Sequence, residues 1–273
     1  MKKTYKALLC GAALSRRSVS HTQWTSASLK RQRISLRYSS AARTSKIMEQ
    51  ALPLTDAMFP GPKVVSGADS AKKIPEVLKE LNVNKVMIVT GPTVGRTIVP
   101  PIAENLERHG IGYTIYDQVE ANPSVKTVEA IRAQYLENGC DGFLAIGGGS
   151  PMDAAKAAAA RVAKPNTPIG KMAGLMKVMI KVAPIVAVPT TSGTGSEVTM
   201  GAVISDHDER HKYAIMDPNL VPKYAVLDPK LTVSMPKFVT ATTGIDALTH
   251  AVESYVTWRI TTTPATAMRR KRW

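Results

Sequence analysis

From Phe59 onward, short apolar runs alternate with longer amphipathic stretches, the pattern of β-α-β units laid on a mostly parallel sheet. Lys85–Thr90, Tyr113–Asp117 and Gly142–Ile146 read as strands, separated by helical sequence around Thr97–Arg108, which Gly110 closes, and from about Ser124 to Glu137. Residues 165–182 open with Pro165, Pro168 and Gly170 as a loop and continue as a Met/Lys-rich stretch, either helix or surface excursion. Pro184–Val188 and Tyr224–Leu227 supply two further strands. Between them, Val198–Ser205 and Lys212–Met216 flank Asp206-His207-Asp208-Glu209 as a hairpin, which leaves His207 and His211 in solvent. Helical sequence begins at Pro236 and resumes after a glycine break at Gly244. Right-handed crossovers stack these units as a doubly wound α/β sheet, with ligands expected at the carboxyl ends of the strands.

Composition changes this picture only at the two ends. The formal charge of +15 suggests a nucleic-acid or membrane binder, but residues 1–46 carry 11 Lys or Arg and no acid, and residues 259–273 carry five and no acid. The remaining 20 bases face all 21 acids, so the body of the chain offers no basic surface for nucleic acid. No stretch approaches the roughly 18 apolar residues of a membrane-spanning helix. Cys10 and Cys140 have no metal-ligand spacing, and a reducing compartment suits them. Three readings of the Ser/Arg-rich N-terminal segment compete. They are an organellar transit peptide, a secretion signal in which Lys2-Lys3 precedes the apolar run Ala7–Leu14, and a start placed ahead of a native first residue near Met48 or Met58. The last is preferred, with a cytoplasmic location, and a mitochondrial or other organellar one follows if the transit peptide is genuine.

The chemistry gathers at three places. Gly142–Ile146 runs into Gly147-Gly148-Gly149-Ser150-Pro151-Met152-Asp153 and an alanine-rich helical run, giving strand, glycine turn and helix. Glycines let backbone approach a bulky anion, and the first helical turn offers unpaired N–H groups at the positive end of its dipole, so this is a seat for a pyrophosphate. The six residues after the strand lack the last glycine of the G-x-G-x-x-G pattern, and a plain tight turn with Ser150 as the helix cap is the alternative. The strand at Pro184–Val188 empties into Pro189-Thr190-Thr191-Ser192-Gly193-Thr194-Gly195-Ser196-Glu197, whose hydroxyls and glycine-exposed amides can bond phosphate, ribose or carboxamide, or simply cap a turn. Asp246 and His250 stand four apart on a helix and share a face, able to hold one cation or one another.

Taken in order, Gly147–Asp153, Pro189–Thr199 and Gly244-Ile245-Asp246-Ala247-Leu248-Thr249-His250-Ala251 resemble the iron-type (group III) alcohol dehydrogenases over about Phe59–Val256. The resemblance implies a Rossmann-like, dehydroquinate-synthase-like α/β domain followed by an all-helical metal-binding domain. On that basis residues 1–56 are a basic extension, 57–235 the dinucleotide-binding domain, 236–257 the start of the helical domain and 258–273 an unrelated basic tail. It also implies an NAD(P)-dependent, metal-dependent oxidoreductase that interconverts primary alcohols and aldehydes by hydride transfer, with no nucleic-acid or membrane partner and with a homo-oligomer in the intact family. The cation, Fe2+ or Zn2+, would lower the pKa of the bound alcohol, and no side chain is assigned as general base.

Motif by motif, the resemblance places Gly148, Gly149, Ser150 and Asp153 at the cofactor pyrophosphate. Thr190, Thr191 and Thr199 fall along the nucleotide, Lys212 at its ribose, Asn122 beside the adenosine, and Asp246 and His250 at the metal. Two departures stand out. Gly91 follows the strand where NAD-preferring members carry an aspartate, so a 2′-phosphate is not repelled and NADP as well as NAD is expected. The family also completes its metal site with two histidines further along, whereas His21, His109, His207 and His211 all precede Asp246. The chain therefore reads as a truncated enzyme with an incomplete metal site, inactive alone. The alternative is a non-catalytic dinucleotide-binding fragment or partner-binding module. Either way Ile245, Leu248, Val252 and Tyr255 are expected to lack a core.

Overall fold

The structure is a computed structural model that describes residues 61–256. The expectations for residues 1–56 and for the tail after Val256 lie outside the described residues, as do Cys10 and His21.

Six strands form one all-parallel sheet: β1 (Lys63–Ser66), β2 (Lys85–Val89), β3 (Gly112–Tyr116), β4 (Gly142–Gly147), β6 (Ile185–Pro189) and β9 (Tyr224–Leu227), in the order β1-β9-β6-β4-β2-β3. Helices α1 (Ile74–Glu80), α2 (Pro92–Thr97), α3 (Val99–Arg108), α4 (Val125–Glu137) and α5 (Gly149–Ala163) connect the strands. Every residue of β4 is buried, because alternate side chains enter different cores. Phe143 and Ala145 join Met87, Val89 and the inner faces of α4 and α5, with Phe143 stacked on Tyr135 at a centroid distance of 4.5 Å. Leu144 and Ile146 join Val86, Ile88 and the inner faces of α1 and α3. A near-continuous apolar strand is what a sheet covered on both faces requires.

Strand order locates the ligand edge. From β2 the chain passes to β3 on one side and then crosses to β4 on the other, so the connections leaving β2 and β4 diverge and open a crevice at their carboxyl ends. Leaving out the edge strand β1, the order is that of the flavodoxin-like doubly wound sheets.

A second, smaller sheet lies over the edge of this crevice. Strands β7 (Gly201–Asp206) and β8 (His211–Met216) are the expected hairpin in antiparallel register, and the two-residue β5 (Gly174–Leu175) pairs parallel to β8. The Met/Lys-rich stretch thus contributes one short helix, α6 (Ile169–Met172), and this edge strand. Ser205 donates its N–H to the Pro123 carbonyl at 2.8 Å, which ties the hairpin to the start of α4.

Four boundaries differ from the sequence expectation. The helix placed at Thr97–Arg108 is two helices meeting at Ile98, since Pro100 and Pro101 have no N–H to continue the ladder from α2 and instead fit the first turn of α3. The helix after the glycines starts at Gly149 with Gly148 as its cap, so neither Ser150 nor Pro151 opens it. Strand β7 begins at Gly201 rather than Val198, because Ser196–Val198 is a turn of 3-10 helix. The last helix, α7 (Lys237–Val256), runs unbroken through Gly244, where a side chain would meet nothing within 4 Å. A mid-helix glycine costs about 1 kcal/mol relative to alanine, which weakens a helix without interrupting its hydrogen bonds. No pattern in the sequence had marked β1 or α1.

Candidate functional site

The site is built on the amino end of α5. Gly147 leaves β4 at φ 148°, a conformation that favours glycine, and turns the chain so that Gly148 caps α5 without any side chain bonding the first-turn amides. Those N–H groups and the helix dipole face the crevice. The opposing wall is the loop after β6, anchored where Thr190 donates its N–H to the Gly147 carbonyl at 2.8 Å. A Cβ on Gly148 would lie 3.3 Å from the Thr191 hydroxyl oxygen, and one on Gly149 would lie 3.1 Å from a Thr194 methyl. Two glycines at this seam therefore let the threonine loop close onto the helix terminus. A side chain at either would narrow the seat, and this cradle fits a pyrophosphate.

The other expected cofactor residues arrive from separate elements. Asn122 adopts φ 57° in the turn before α4, and its N–H donates to Ser150 Oγ at 3.3 Å. Lys212, on β8, donates from Nζ to Asn122 Oδ1 at 3.0 Å, so the hairpin and the turn meet above the amino end of α5. Gly91 caps α2 just past β2, the other strand that flanks the crevice. Thr190 is buried, Thr191 is partly open and Thr199 is exposed.

A cleft of about 540 Å3 lies alongside, lined among others by Ser150, Asp153, Thr194, Thr199, Met216 and His250. His250 thus reaches the same cleft as the glycine turn, although 100 residues separate them in the chain. Its Nε2 stands 3.9 Å from Asp246 Oδ1, with both side chains about half exposed. These two are suited to a divalent cation by chemistry, one carboxylate and one imidazole. No cluster of three or more His, Cys, Asp or Glu occurs among the described residues, so those residues do not by themselves make a complete metal site.

Asp153 is occupied with the protein. Its Oδ1 accepts from Ser196 Oγ at 2.9 Å and its Oδ2 from the Val203 N–H at 3.0 Å. Burial raises its pKa, against the opposing pull of the Val203 amide, Lys156 and Ser196. It is a half-buried carboxyl at the edge of the cleft that ties β7 to α5, both of its oxygens taken up by the protein. Lys156 was not marked by sequence reasoning. It is wholly buried, and its ammonium lies within 2.7–3.1 Å of five oxygens: the Ser196 carbonyl and hydroxyl, the Thr199 carbonyl and hydroxyl, and the Gly201 carbonyl. The signal available was a lone lysine inside an alanine run, Ala154-Ala155-Lys156-Ala157, three residues from an aspartate on the same helix.

The iron-containing alcohol dehydrogenase family profile matches residues 61–229. Choline dehydrogenase of Bacillus subtilis (strain 168) is 37% identical over 201 residues, which cover 72% of this chain and 50% of the relative. The crystal structure of 1,3-propanediol oxidoreductase superposes with a TM-score of 0.70 at 32% identity, over 72% of this chain and 52% of that one. Sulfoacetaldehyde reductase from Bifidobacterium kashiwanohense in complex with NAD+ gives 0.66 at 29% identity, over 72% and 52%. The chain spans about half the length of these proteins.

Proposed function

The chain belongs to the iron-containing alcohol dehydrogenase family, and we propose that it supplies the dinucleotide-binding half of an oxidoreductase that exchanges a hydride between NAD(P) and a small primary alcohol or aldehyde. The observation that carries this reading is the convergence of the amino end of α5, whose first-turn amides no side chain caps, with the threonine loop and His250 on one cleft. The amides of Gly149 and Ser150 would bond the pyrophosphate, and the loop hydroxyls of Thr191 and Thr194 would line the chain of the cofactor. Lys212 and Asn122, already bonded to each other, would hold a ribose hydroxyl between them. Gly91 presents no carboxylate to a 2′-phosphate, so both NAD and NADP are accepted.

A divalent cation, where the family holds one, supplies Lewis acidity toward the alcohol oxygen. His250, which lines the cleft, and Asp246, four residues before it, would be two donors for it. Two donors are too few for a tightly held catalytic ion, so no step of the reaction is assigned to the described residues through it. The described residues are accordingly expected to bind dinucleotide and to hold a cation only weakly.

Calorimetric titration of the full chain with NAD, NADP and Fe2+, each separately under anaerobic reducing conditions, tests this. Binding of either dinucleotide with weak or no uptake of iron is the expected result. If neither dinucleotide binds, the reading is wrong for this chain.

A further inference from the structure

The least expected group in the fold is the charged side chain of Lys156 at the centre of α5. The positions around it, Ala154, Ala155 and Ala157–Ala160, are fully buried alanines, and an apolar residue there would avoid the cost of removing an ammonium from water. What the lysine gains is a set of five oxygens gathered at one point, of which the Ser196 carbonyl has besides it only the longer Thr199 N–H contact at 3.3 Å and Thr199 hydroxyl contact at 3.5 Å. Between Gly195, at φ 62°, and the start of β7, the backbone makes one 3-10 turn and then extends at Thr199, so the Ser196, Thr199 and Gly201 carbonyls converge on one point. Such irregular backbone keeps its shape only when those carbonyls find donors. An ammonium has three protons for five acceptors, and a cationic donor strengthens each bond. Asp153, one turn earlier on α5, takes the Ser196 hydroxyl and the Val203 amide, so two side chains of one helix clamp both ends of the segment.

We propose that Lys156 is a positioning residue for dinucleotide binding: through its oxygen cage it fixes the segment Ser196–Gly201, and with it Thr194 and Thr199, at a set distance from the amino end of the same helix. This rests on the reading that the cleft takes a dinucleotide. One rigid helix then carries both walls of the seat, the amides at its terminus and the loop that faces them. The charged groups around the ammonium are Asp153 and Glu197, and both attract it.

Lys156→Ala removes the ammonium and leaves a buried cavity whose length matches n-propylammonium. Titrated with NAD, the variant should bind about tenfold or more weakly, a loss of about 1.4 kcal/mol or more. Hydrogen exchange should show residues 196–203 losing protection while β2, β4 and β6 keep theirs, and added n-propylammonium should restore both protection and affinity. Ser196→Ala takes one oxygen from the cage and the partner from Asp153 Oδ1, and should weaken NAD severalfold. A folded Lys156→Ala chain that binds NAD within about twofold of the unaltered one overturns the proposal, as does a variant that n-propylammonium leaves unrescued. Should Lys156→Ala not fold, unchanged affinity in Ser196→Ala overturns it equally. Absence of NAD binding by the unaltered chain would instead overturn the dinucleotide reading beneath it.

Discussion

Helix α7 carries Asp246 and His250, yet it is docked by very little. None of its described residues is buried, and only Val239, Thr243 and Asp246 are partly covered, a narrow stripe at helical spacing. Ile245, Leu248 and Val252 are 53–65% exposed, as expected of a helix with no core of its own to enter, and Phe238 is 78% exposed, while the side chain of Tyr255, named with them in that expectation, lies outside the described residues. The contact that seats it is Gly193 of the threonine loop, where a Cβ would stand 2.6 Å from the Thr243 carbonyl oxygen, 2.7 Å from its Cβ and 2.9 Å from its Cα. Two of those three atoms are backbone, so no rotamer change relieves the overlap, and ordinary contact at about 3.5–4.0 Å requires the helix to retreat by about 1 Å. Gly193 has no left-handed φ, so alanine adds no backbone strain there and should gain about 0.4–1 kcal/mol by restricting the unfolded chain. An overpacked contact typically costs about 1–3 kcal/mol. A helix buried this little can leave its seat before the full penalty is felt. Gly193→Ala is therefore expected to undock α7 while the melting temperature falls by no more than about 10 °C, at about 2–4 °C per kcal/mol for a domain of this size. A thermal melt gives the second effect, and hydrogen exchange followed by proteolysis gives the first, as faster exchange over 237–256 with unchanged protection in β2, β4 and β6. Unaltered exchange in α7 together with a raised melting temperature would show that the helix is not seated on Gly193.

Two further outcomes follow from the same geometry. Gly91→Asp places a carboxylate where a 2′-phosphate would sit and should weaken NADP by about tenfold relative to NAD in calorimetry. The new Cβ must also clear the Val119 carbonyl at 3.1 Å, so some loss for both cofactors is expected, and an unchanged NADP-to-NAD ratio would show that Gly91 does not face the ribose. Burial brings the pKa of Lys156 from its usual 10.5 down to about 8, outweighing the attraction of Asp153 and Glu197. Between those values the unfolded chain binds the extra proton, so this group makes the protein more stable as pH climbs from about 8 toward 10.5. Lys156→Met should flatten that rise in a denaturant titration series, and parallel curves for the two proteins would contradict it.

Period and punctuation decided much of this protein at the level of sequence. The strands Lys85–Val89, Gly142–Gly147 and Ile185–Pro189 announce themselves because a strand covered on both faces must be apolar at every position, and Gly147–Gly149 mark the turn into α5 because glycine suits the φ of 148° and the close approach of the threonine loop. The order of the motifs was sufficient to indicate the family. Tertiary structure decided the rest, for reasons local pattern cannot carry. The edge strand β1 is four residues long and largely exposed, so its pairing with β9 across more than 150 residues leaves little periodic trace. The join between α2 and α3, the cap at Gly148 and the unbroken α7 depend on which amides find partners rather than on hydrophobic spacing. The role of Lys156 exists only where three carbonyls from a distant loop converge on it, and Asp153 turns inward because Ser196 and Val203 meet it there. Buried polar groups must be satisfied by whatever the fold brings near, and that neighbourhood is set in three dimensions.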